Sequence, residues 1–433
     1  MTAAILVLFA QAKILTLADA LTTAQKAQPT LRQAHANTDA AKARAGEARA
    51  PLLPQVLGLA TYSRATSNSS AGSVPACIAF GGGTGGAPPS SGVLSWASCD
   101  RFNFSLTASQ TLWDASGQLA RWRANVATAE SFEATEKAQR LLTTLTVRTF
   151  YFAARANKSL VNVAGETLAN QVRHLQQIDG FVKVGTRPEI DLAQARTDRA
   201  NAQVQLINAE NNYAVAKAQL NQAMGVEGPT DYDVEDVTIA PVDGEESQIG
   251  PLLDEALKAR PEFVSIDRQV QSQELAVWAA RTGYGPSLTA STALTDSGTD
   301  LAHLVWNWNF TLTVNWQLFS GGLTYYTVKE QKANLDGLRA QRDLLRQQTR
   351  LEVDQARLAV RAAKAALSAS DEALINARER LRLAEGRYQA GVGSVIELGD
   401  AQVALTNAAA QKVQADYNVS TARAQLMKSI GRF

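Results

Sequence analysis

Polar and apolar residues alternate without a break from Trp306 to Leu318, WNWNFTLTVNWQL. Trp306, Trp308, Phe310, Leu312, Val314, Trp316 and Leu318 form one set, and Asn307, Asn309, Thr311, Thr313, Asn315 and Gln317 form the other. A period of two sends the sets to opposite faces of one strand. A strand this long, with an aromatic face, fits a tilted strand crossing a bilayer between lipid and water. It also fits a sandwich strand with a large core face. A second run, 101–112, sets Phe102, Phe104, Leu106 and Ala108 against Asn103, Ser105, Thr107 and Ser109. A third, 287–295, alternates through Leu288, Ala290, Thr292 and Leu294. A fourth, 55–63, alternates less cleanly through Val56, Leu57, Leu59 and Tyr62.

The pattern changes after each strand pair. From Gly117 to Phe181 there is no proline, and the same holds from Gly322 to Gly386. A helix of that length would run roughly 95 Å, the scale of coiled coils and helical tubes. Val353, Val360, Leu367, Leu374 and Leu381 recur every seven residues, and Leu344, Leu351 and Leu358 form a second such row. The rows are two residues apart in phase and lie on nearly opposite sides. A two-stranded coiled coil needs one seam; two seams suit a helix with neighbours on both sides, as in a barrel of helices or a bundle. Shorter helices are expected near 29–50 and 261–281.

The chain also repeats itself. Ala27 and Pro29 match Ala259 and Pro261, and Pro54 matches Pro286, at an offset of 232. From Phe104 against Phe310 onward the offset is 206, through Gly185/Gly391, Leu192/Leu398, Leu220/Leu426 and Gly225/Gly431. The first structural repeat is thus 13–225, with strands near 55–63 and 101–112 and a tip turn near 185. The second is 256–433, with strands near 287–295 and 306–318 and a tip turn near 391. The insertion that changes the offset falls on the loop between Cys77 and Cys99. Residues 226–255 join the repeats as an acidic equatorial linker. Its 226–250 stretch holds acids and no Lys or Arg, and it reads as a solvated surface segment.

Composition adds limits. The 42 Lys+Arg balance 41 Asp+Glu, so nothing draws the chain to nucleic acid. No apolar run is long enough for a spanning helix. Residues 1–12 carry a short apolar core ending in Ala-Gln-Ala, which reads as a signal-peptide remnant lacking its basic start, or as an apolar N-terminus. In an exported protein Cys77 and Cys99 are expected to pair and close their loop; free thiols are the alternative.

Four strands of bilayer length cannot stand alone. Lipid tolerates no unpaired sheet edge, and single-chain barrels start at about eight strands. Several subunits must contribute. Three copies give twelve strands, while two or four remain formally open.

These features together are recognisable. The chain resembles the TolC-type outer-membrane efflux protein family over about residues 17–431. The likeness rests on the duplicated plan, the Leu318-Phe319-Ser320-Gly321-Gly322 junction, and the tips Val184-Gly185-Thr186-Arg187 and Ala390-Gly391-Val392-Gly393. The resemblance implies a mixed α and β membrane channel. Its homotrimer would form a twelve-stranded transmembrane β-barrel, four strands per chain, continuous with a long periplasmic α-helical barrel. It implies the outer membrane of a Gram-negative bacterium, and partnership with a periplasmic adaptor (membrane fusion) protein and an inner-membrane transporter of RND, ABC or MFS type. The N-terminal segment, 226–255 and the C-terminus would girdle the tunnel. No cysteine stands near residues 12–20, so an acylated N-terminus is not expected.

The resemblance also implies sites. Trp306, Trp308, Phe310, Trp316, Phe102 and Phe104 would face lipid. Val184, Gly185, Thr186, Arg187, Ala390, Gly391 and Val392 would form the periplasmic entrance and dock the adaptor. Glu397 and Asp400, one turn apart, match an acidic pair lining that entrance, where repeated carboxylates favour cations; they also read as solvated acids near a helix start. Tyr388 and Asp191 match a gate latch. Its arginine position is Gly393 here, leaving Arg187 or Arg387 to substitute.

No chemistry competes with conduction. His35, His174 and His303 stand in no ligand spacing, and Met1, Met224 and Met427 form no cluster, so no metal or cofactor is expected. Gly81-Gly82-Gly83 lies outside the strand-to-helix setting of a phosphate loop. The reading is a passive exit duct for efflux or type I secretion, not an enzyme. The alternatives are a periplasmic adaptor, which would carry a lipoyl-like β-domain and no Trp-rich strand, or a soluble coiled-coil scaffold.

Overall fold

The computed structural model describes residues 13–66, 98–246 and 248–432. In chain order the elements are β1 (Lys13–Leu15), α1 (Leu17–Ala27), α2 (Pro29–Arg49), β2 (Gln55–Thr66), β3 (Ser98–Trp113), α3 (Gly117–Lys183), α4 (Glu189–Met224) and β4 (Tyr232–Val234). There follow α5 (Ile249–Ala259), α6 (Pro261–Arg281), β5 (Ser287–Gly298), β6 (Val305–Asn315), α7 (Leu323–Gln389) and α8 (Val395–Ser429). The two halves match in element length: α1 and α5 have 11 residues, α2 and α6 have 21, and α3 and α7 have 67. Pro29 and Pro261 open α2 and α6, where a missing N–H costs nothing. Among the described residues no helix is long and apolar enough to cross a membrane. Residues 1–12 and Cys77 lie outside the described residues; Cys99 stands in β3.

The chain divides into two compact units. One comprises residues 39–130 and 268–339 and holds a four-stranded antiparallel sheet in the order β2-β3-β5-β6. Its register brings the alternating rows together. Tyr62 pairs with Phe102, Phe104 with Asp296, Leu106 with Leu294, Thr292 with Phe310, and Leu294 with Trp308. Side chains directly opposite share a face, so Val56, Tyr62, Phe102, Phe104, Leu106, Leu294, Trp306, Trp308, Phe310 and Val314 lie on one side, with Thr292 and Asp296 among them. Asn103, Ser105, Thr107, Ser291, Thr295, Asn307, Asn309 and Thr311 lie on the other. The untidy alternation of β2 is resolved here: Leu57 and Leu59 pair with Thr107 and Ser105, on the polar side.

Among the described residues no layer covers the aromatic face. Every residue of β6 is exposed, with Trp306 at 71% and Trp308 at 65%. β2 and β6 are both edge strands, so one backbone edge of each is unpaired within the sheet. β6 stops at Asn315, short of Leu318. Trp316 leaves the ladder and donates its indole N–H to the Tyr284 carbonyl at 3.1 Å. Exposed Trp113, Trp316, Phe319, Tyr325 and Tyr326 gather in sequence at the strand-to-helix junctions, and Tyr284 stands at the helix-to-strand junction before β5.

Those junctions repeat in geometry but not in sequence. The turn into α7 uses Gly321 and Gly322 at φ 62° and 87°. The turn into α3 holds Ala115 and Ser116 at φ 55° and 67° in the equivalent places, where L residues are strained. The Asp114 carboxylate accepts the Gln118 N–H at 2.6 Å and steadies this turn.

The second unit comprises residues 1–38, 131–267 and 340–433. Its helices pack largely through alanine, which lets backbones approach. One core gathers Ala20, Ala24, Val147, Tyr151, Phe152, Leu220 and Met224 around Val234 of β4, which runs parallel to β1. A second joins Val242, Leu252, Val353, Val360, Leu426 and Ile430. A third, at the two helix-to-helix turns, is described below. Of the two seven-residue rows on α7, Val353, Val360, Leu374 and Leu381 are buried, while Leu344, Leu351 and Leu358 are exposed.

The acidic linker is exposed along most of its length, but several of its acids are held in ion pairs and one of them, Glu245, is buried. Asp233 pairs with Lys158 at 2.6 Å, Asp236 with Arg155, and Glu255 with Arg432 at 2.7 Å. Glu245 is 4% exposed and accepts hydrogen bonds from Arg423 at 3.0 and 3.1 Å, Lys364 at 3.1 Å and the Val242 N–H at 3.0 Å. The cations come from α3, α7 and α8 and the residues after α8. A charge count within one window cannot see them.

Candidate functional site: the two helical tips

Each long hairpin turns within a few residues. After α3, the Gly185 N–H donates to the Val182 carbonyl at 3.0 Å and Thr186 N–H to Phe181 at 3.0 Å, with Gly185 at φ 77°. After α7, Gly391 N–H donates to Tyr388 at 3.1 Å and Val392 N–H to Arg387 at 3.1 Å, with Gly391 at φ 78°. Left-handed backbone at the end of a helix is where glycine is needed. Pro188 stands at the N-cap of α4, and Ser394 caps α8, its Oγ accepting the Glu397 N–H at 3.0 Å. Val184 and Val392 are exposed, as are Ile190 and Ile396 just inside the next helices.

Behind the turns lies the third core: Ile178, Ala195, Leu381, Ala384, Tyr388, Leu398 and Ala401. Tyr388 is its centre, 2% exposed. His174 meets its ring edge-on at 5.5 Å and Phe181 at 6.4 Å, while the Arg187 guanidinium lies 4.7 Å from the ring centroid. Burial pushes the Tyr388 hydroxyl's pKa up, partly opposed by Arg187 and reinforced by Asp191. The hydroxyl has no hydrogen-bond partner among the described residues, so Asp191 sits near it without a bond. Burial holds His174 below its usual pKa, against Asp198 and a Gln177 hydrogen bond.

Gly393 stands where a side chain would meet backbone. A Cβ at Gly393 would lie 2.9 Å from the Tyr388 nitrogen and 3.0 Å from the Arg387 carbonyl carbon. The turn closes too tightly for a side chain there. Of the two arginines offered as substitutes, Arg187 takes the tyrosine ring, and Arg387 reaches Glu397 at 3.2 Å.

The acids divide differently from their spacing. A groove of about 610 Å³ between α3, α4 and α8 is lined by Asp191, Asp198 and Asp400 with Gln171, Gln194, Asn201, Gln205 and Asn407. Glu397 is not among its walls. The polar lining continues inward, with Gln171 Nε2 on Gln402 Oε1 at 2.8 Å and Thr167 Oγ1 against Thr406 Oγ1 at 3.1 Å. Sequence reasoning misses Asp198, though it follows Asp191 by seven residues, two turns along one helix face. It also passes over His174, which has no ligand spacing and whose burial depends on α7. Among the described residues no group of His, Cys, Asp and Glu could hold a metal ion.

The comparisons agree with this plan. The sequence pattern of the outer membrane efflux protein family matches residues 20–226 and 252–432. The chain belongs to the outer membrane efflux protein family. Curated relatives include the solvent efflux pump outer membrane protein SrpC of Pseudomonas putida, 28% identical over 49% of this chain and 45% of its own length. The probable outer membrane lipoprotein SilC of Salmonella typhimurium is 25% identical over 48% of this chain and 44% of its own. The match thus spans less than half the length of either. Among solved structures, VceC of Vibrio cholerae superposes with TM-score 0.81 at 17% identity, covering 96% of both chains. CusC gives 0.79 at 19%, covering 96% of this chain and 92% of its own. The fold is therefore the mixed α and β channel fold of outer membrane efflux proteins, and membership places the chain in the outer membrane.

Within that family the tips are where sequence and structure meet. Glu397, Asp400, Tyr388 and Asp191 all fall within the tip region of one unit, with Val184, Gly185, Thr186, Arg187, Ala390, Gly391 and Val392 in its two turns. Trp306, Trp308, Phe310, Phe102 and Phe104 share the aromatic face of the other unit's sheet, and Trp316 stands just beyond it.

Proposed function

We propose that the chain is one subunit of an outer-membrane exit duct, through which an efflux or type I secretion assembly passes its cargo outward. One observation carries this: a four-stranded sheet with two unpaired edges and an aromatic-rich face, interrupted by Thr292 and Asp296, that no other layer of the described residues covers. Water would penalise that face, and lipid would penalise those edges unless other copies pair with them. Three copies bring twelve strands to a closed barrel, with Trp306, Trp308, Phe310, Phe102 and Phe104 toward lipid and Asn307, Asn309 and Thr311 toward the lumen. Aromatic residues at the strand-to-helix junctions suit the polar margin of a bilayer. The exposed Leu344, Leu351 and Leu358 row supports helical neighbours from other copies.

The tips then serve as the periplasmic entrance. Val184, Thr186, Arg187, Ala390 and Val392 offer the surface on which a periplasmic adaptor docks. Tyr388 and Asp191 belong to the gate, with Arg187 stacked on the ring in place of the absent arginine. The duct itself is passive; an inner-membrane pump supplies the energy. Relatives are named for solvent and toluene efflux, which makes small apolar molecules the first cargo to assay here. The test is fractionation followed by mass measurement in detergent. A three-copy particle extracted from outer membrane supports the reading, and a chain that stays soluble as a monomer without detergent ends it.

A further inference from the structure

The duplication permits a comparison of charge at the two tips. Asp191 and Glu397 occupy equivalent positions, at the offset of 206 that relates the repeats. So do Phe181 and Arg387. In the first tip the acid therefore faces a phenyl ring's position, and Asp191 has no ion pair among the described residues. In the second tip Arg387 Nε stands 3.2 Å from Glu397 Oε1. The backbone of both residues is held in place. Val392 N–H and Gly393 N–H both donate to the Arg387 carbonyl, at 3.1 and 2.9 Å, and fix the residue against the turn. Ser394 Oγ holds the Glu397 backbone N–H at 3.0 Å from the other side.

Both side chains are more than a third exposed, so the pair adds little stability. Its electrostatic effect does not depend on strength. Opposite charges about 3 Å apart act as a small dipole, whose potential at ion distances is a fraction of that of a lone carboxylate. Meanwhile Asp191, Asp198 and Asp400 line a groove whose walls contain no lysine or arginine.

On the reading of the tips as a duct entrance, we infer that Arg387 is a specificity-determining residue: it cancels the charge of Glu397 and leaves cation selection to Asp191, Asp198 and Asp400. The two acids at 397 and 400 are thus unequal in effect.

The test is the reversal potential of the full chain in planar bilayers under a potassium chloride gradient. Asp400→Asn is expected to lower the potassium-to-chloride permeability ratio about eight-fold in a three-copy duct, since each copy loses one unit charge acting across ~8 Å of water, worth about two-fold. Arg387→Gln is expected to raise the ratio by about the same factor, and Arg387→Lys to leave it in place. Glu397→Gln, which strands Arg387, lowers it; the Arg387→Gln/Glu397→Gln double variant returns it to the wild-type value, which also excludes a misfolded tip. The inference is overturned if Asp400→Asn shifts the potential and Arg387→Gln does not, or if neither does while channels still form. Absence of any channel in the unaltered protein would instead overturn the duct reading itself.

Discussion

Glu245→Gln is the sharpest perturbation of the linker. The substitution keeps shape and removes the charge that Arg423 and Lys364 share. Lys364 is 37% exposed and can recover water, but Arg423 is 13% exposed and is left as a stranded cation. Removing one partner of a buried pair costs about 3–5 kcal/mol, and the lysine's access to water puts this site at the lower end, about 3 kcal/mol. At 1.4 kcal/mol per decade the opening equilibrium of the segment rises about 100-fold. Hydrogen–deuterium exchange of residues 239–246 reads this directly, because the Val242 N–H bonds to the Glu245 carboxylate. Glu246→Gln is the control: that side chain is 75% exposed and its loss should change exchange about two-fold or less. The pH dependence has a defined sign. Burial pushes the Glu245 pKa up, but hydrogen bonds from Arg423, Val242 N–H and Lys364 outweigh it and hold the carboxyl below its usual range. Protection is therefore full above about pH 4.5 and lost as pH falls through the lower folded value. Equal exchange in the Glu245→Gln and Glu246→Gln variants would refute the reasoning.

Three further outcomes follow from the tips and the junction. His174 is held neutral by burial, so its protonation opposes the packed tip; packing should weaken as pH falls below about 6.5, and His174→Gln should abolish that trend in proteolysis of residues 170–190. Gly393→Ala should loosen the second tip by about 1–3 kcal/mol, because its Cβ meets backbone rather than a movable side chain, and urea titration followed by cleavage at 390–394 measures it. Ala115→Gly should stabilise by about 0.5–1 kcal/mol, the reverse of the usual sign, because φ is positive there; thermal unfolding in detergent decides it.

Much of this is legible in the chain. The alternation of 306–315 can be read because neither face of β6 is covered among the described residues, so both keep their residue bias. The helices can be read by what they lack, proline, over α3 and α7. The tip turns announce themselves through Gly185 and Gly391, whose backbone no other residue adopts as easily. What stays hidden depends on partners remote in sequence. Among the linker's largely exposed acids, the burial of Glu245 is hidden because its partners Lys364 and Arg423 lie far from it in sequence. Glu397 and Asp400 look equivalent because three residues of helix leave side chains only about 60° apart. That angle suffices to send one toward Arg387 and the other toward the groove. The row of Leu344, Leu351 and Leu358 is visible as a seam, but it is exposed among the described residues. The alternation carries β6 past its true end at Asn315 because Trp316 keeps the period while its indole bonds to Tyr284, which no period reveals.

The central claim is that the aromatic face of β2, β3, β5 and β6 meets lipid while the opposite face meets water. Spin labels placed singly along 305–315, in a protein with Cys77 and Cys99 replaced, test it in lipid vesicles. Accessibility to oxygen should peak at 306, 308, 310, 312 and 314, and accessibility to a water-soluble nickel chelate at 307, 309, 311 and 313. A strand equally open to the chelate at every position would contradict the account.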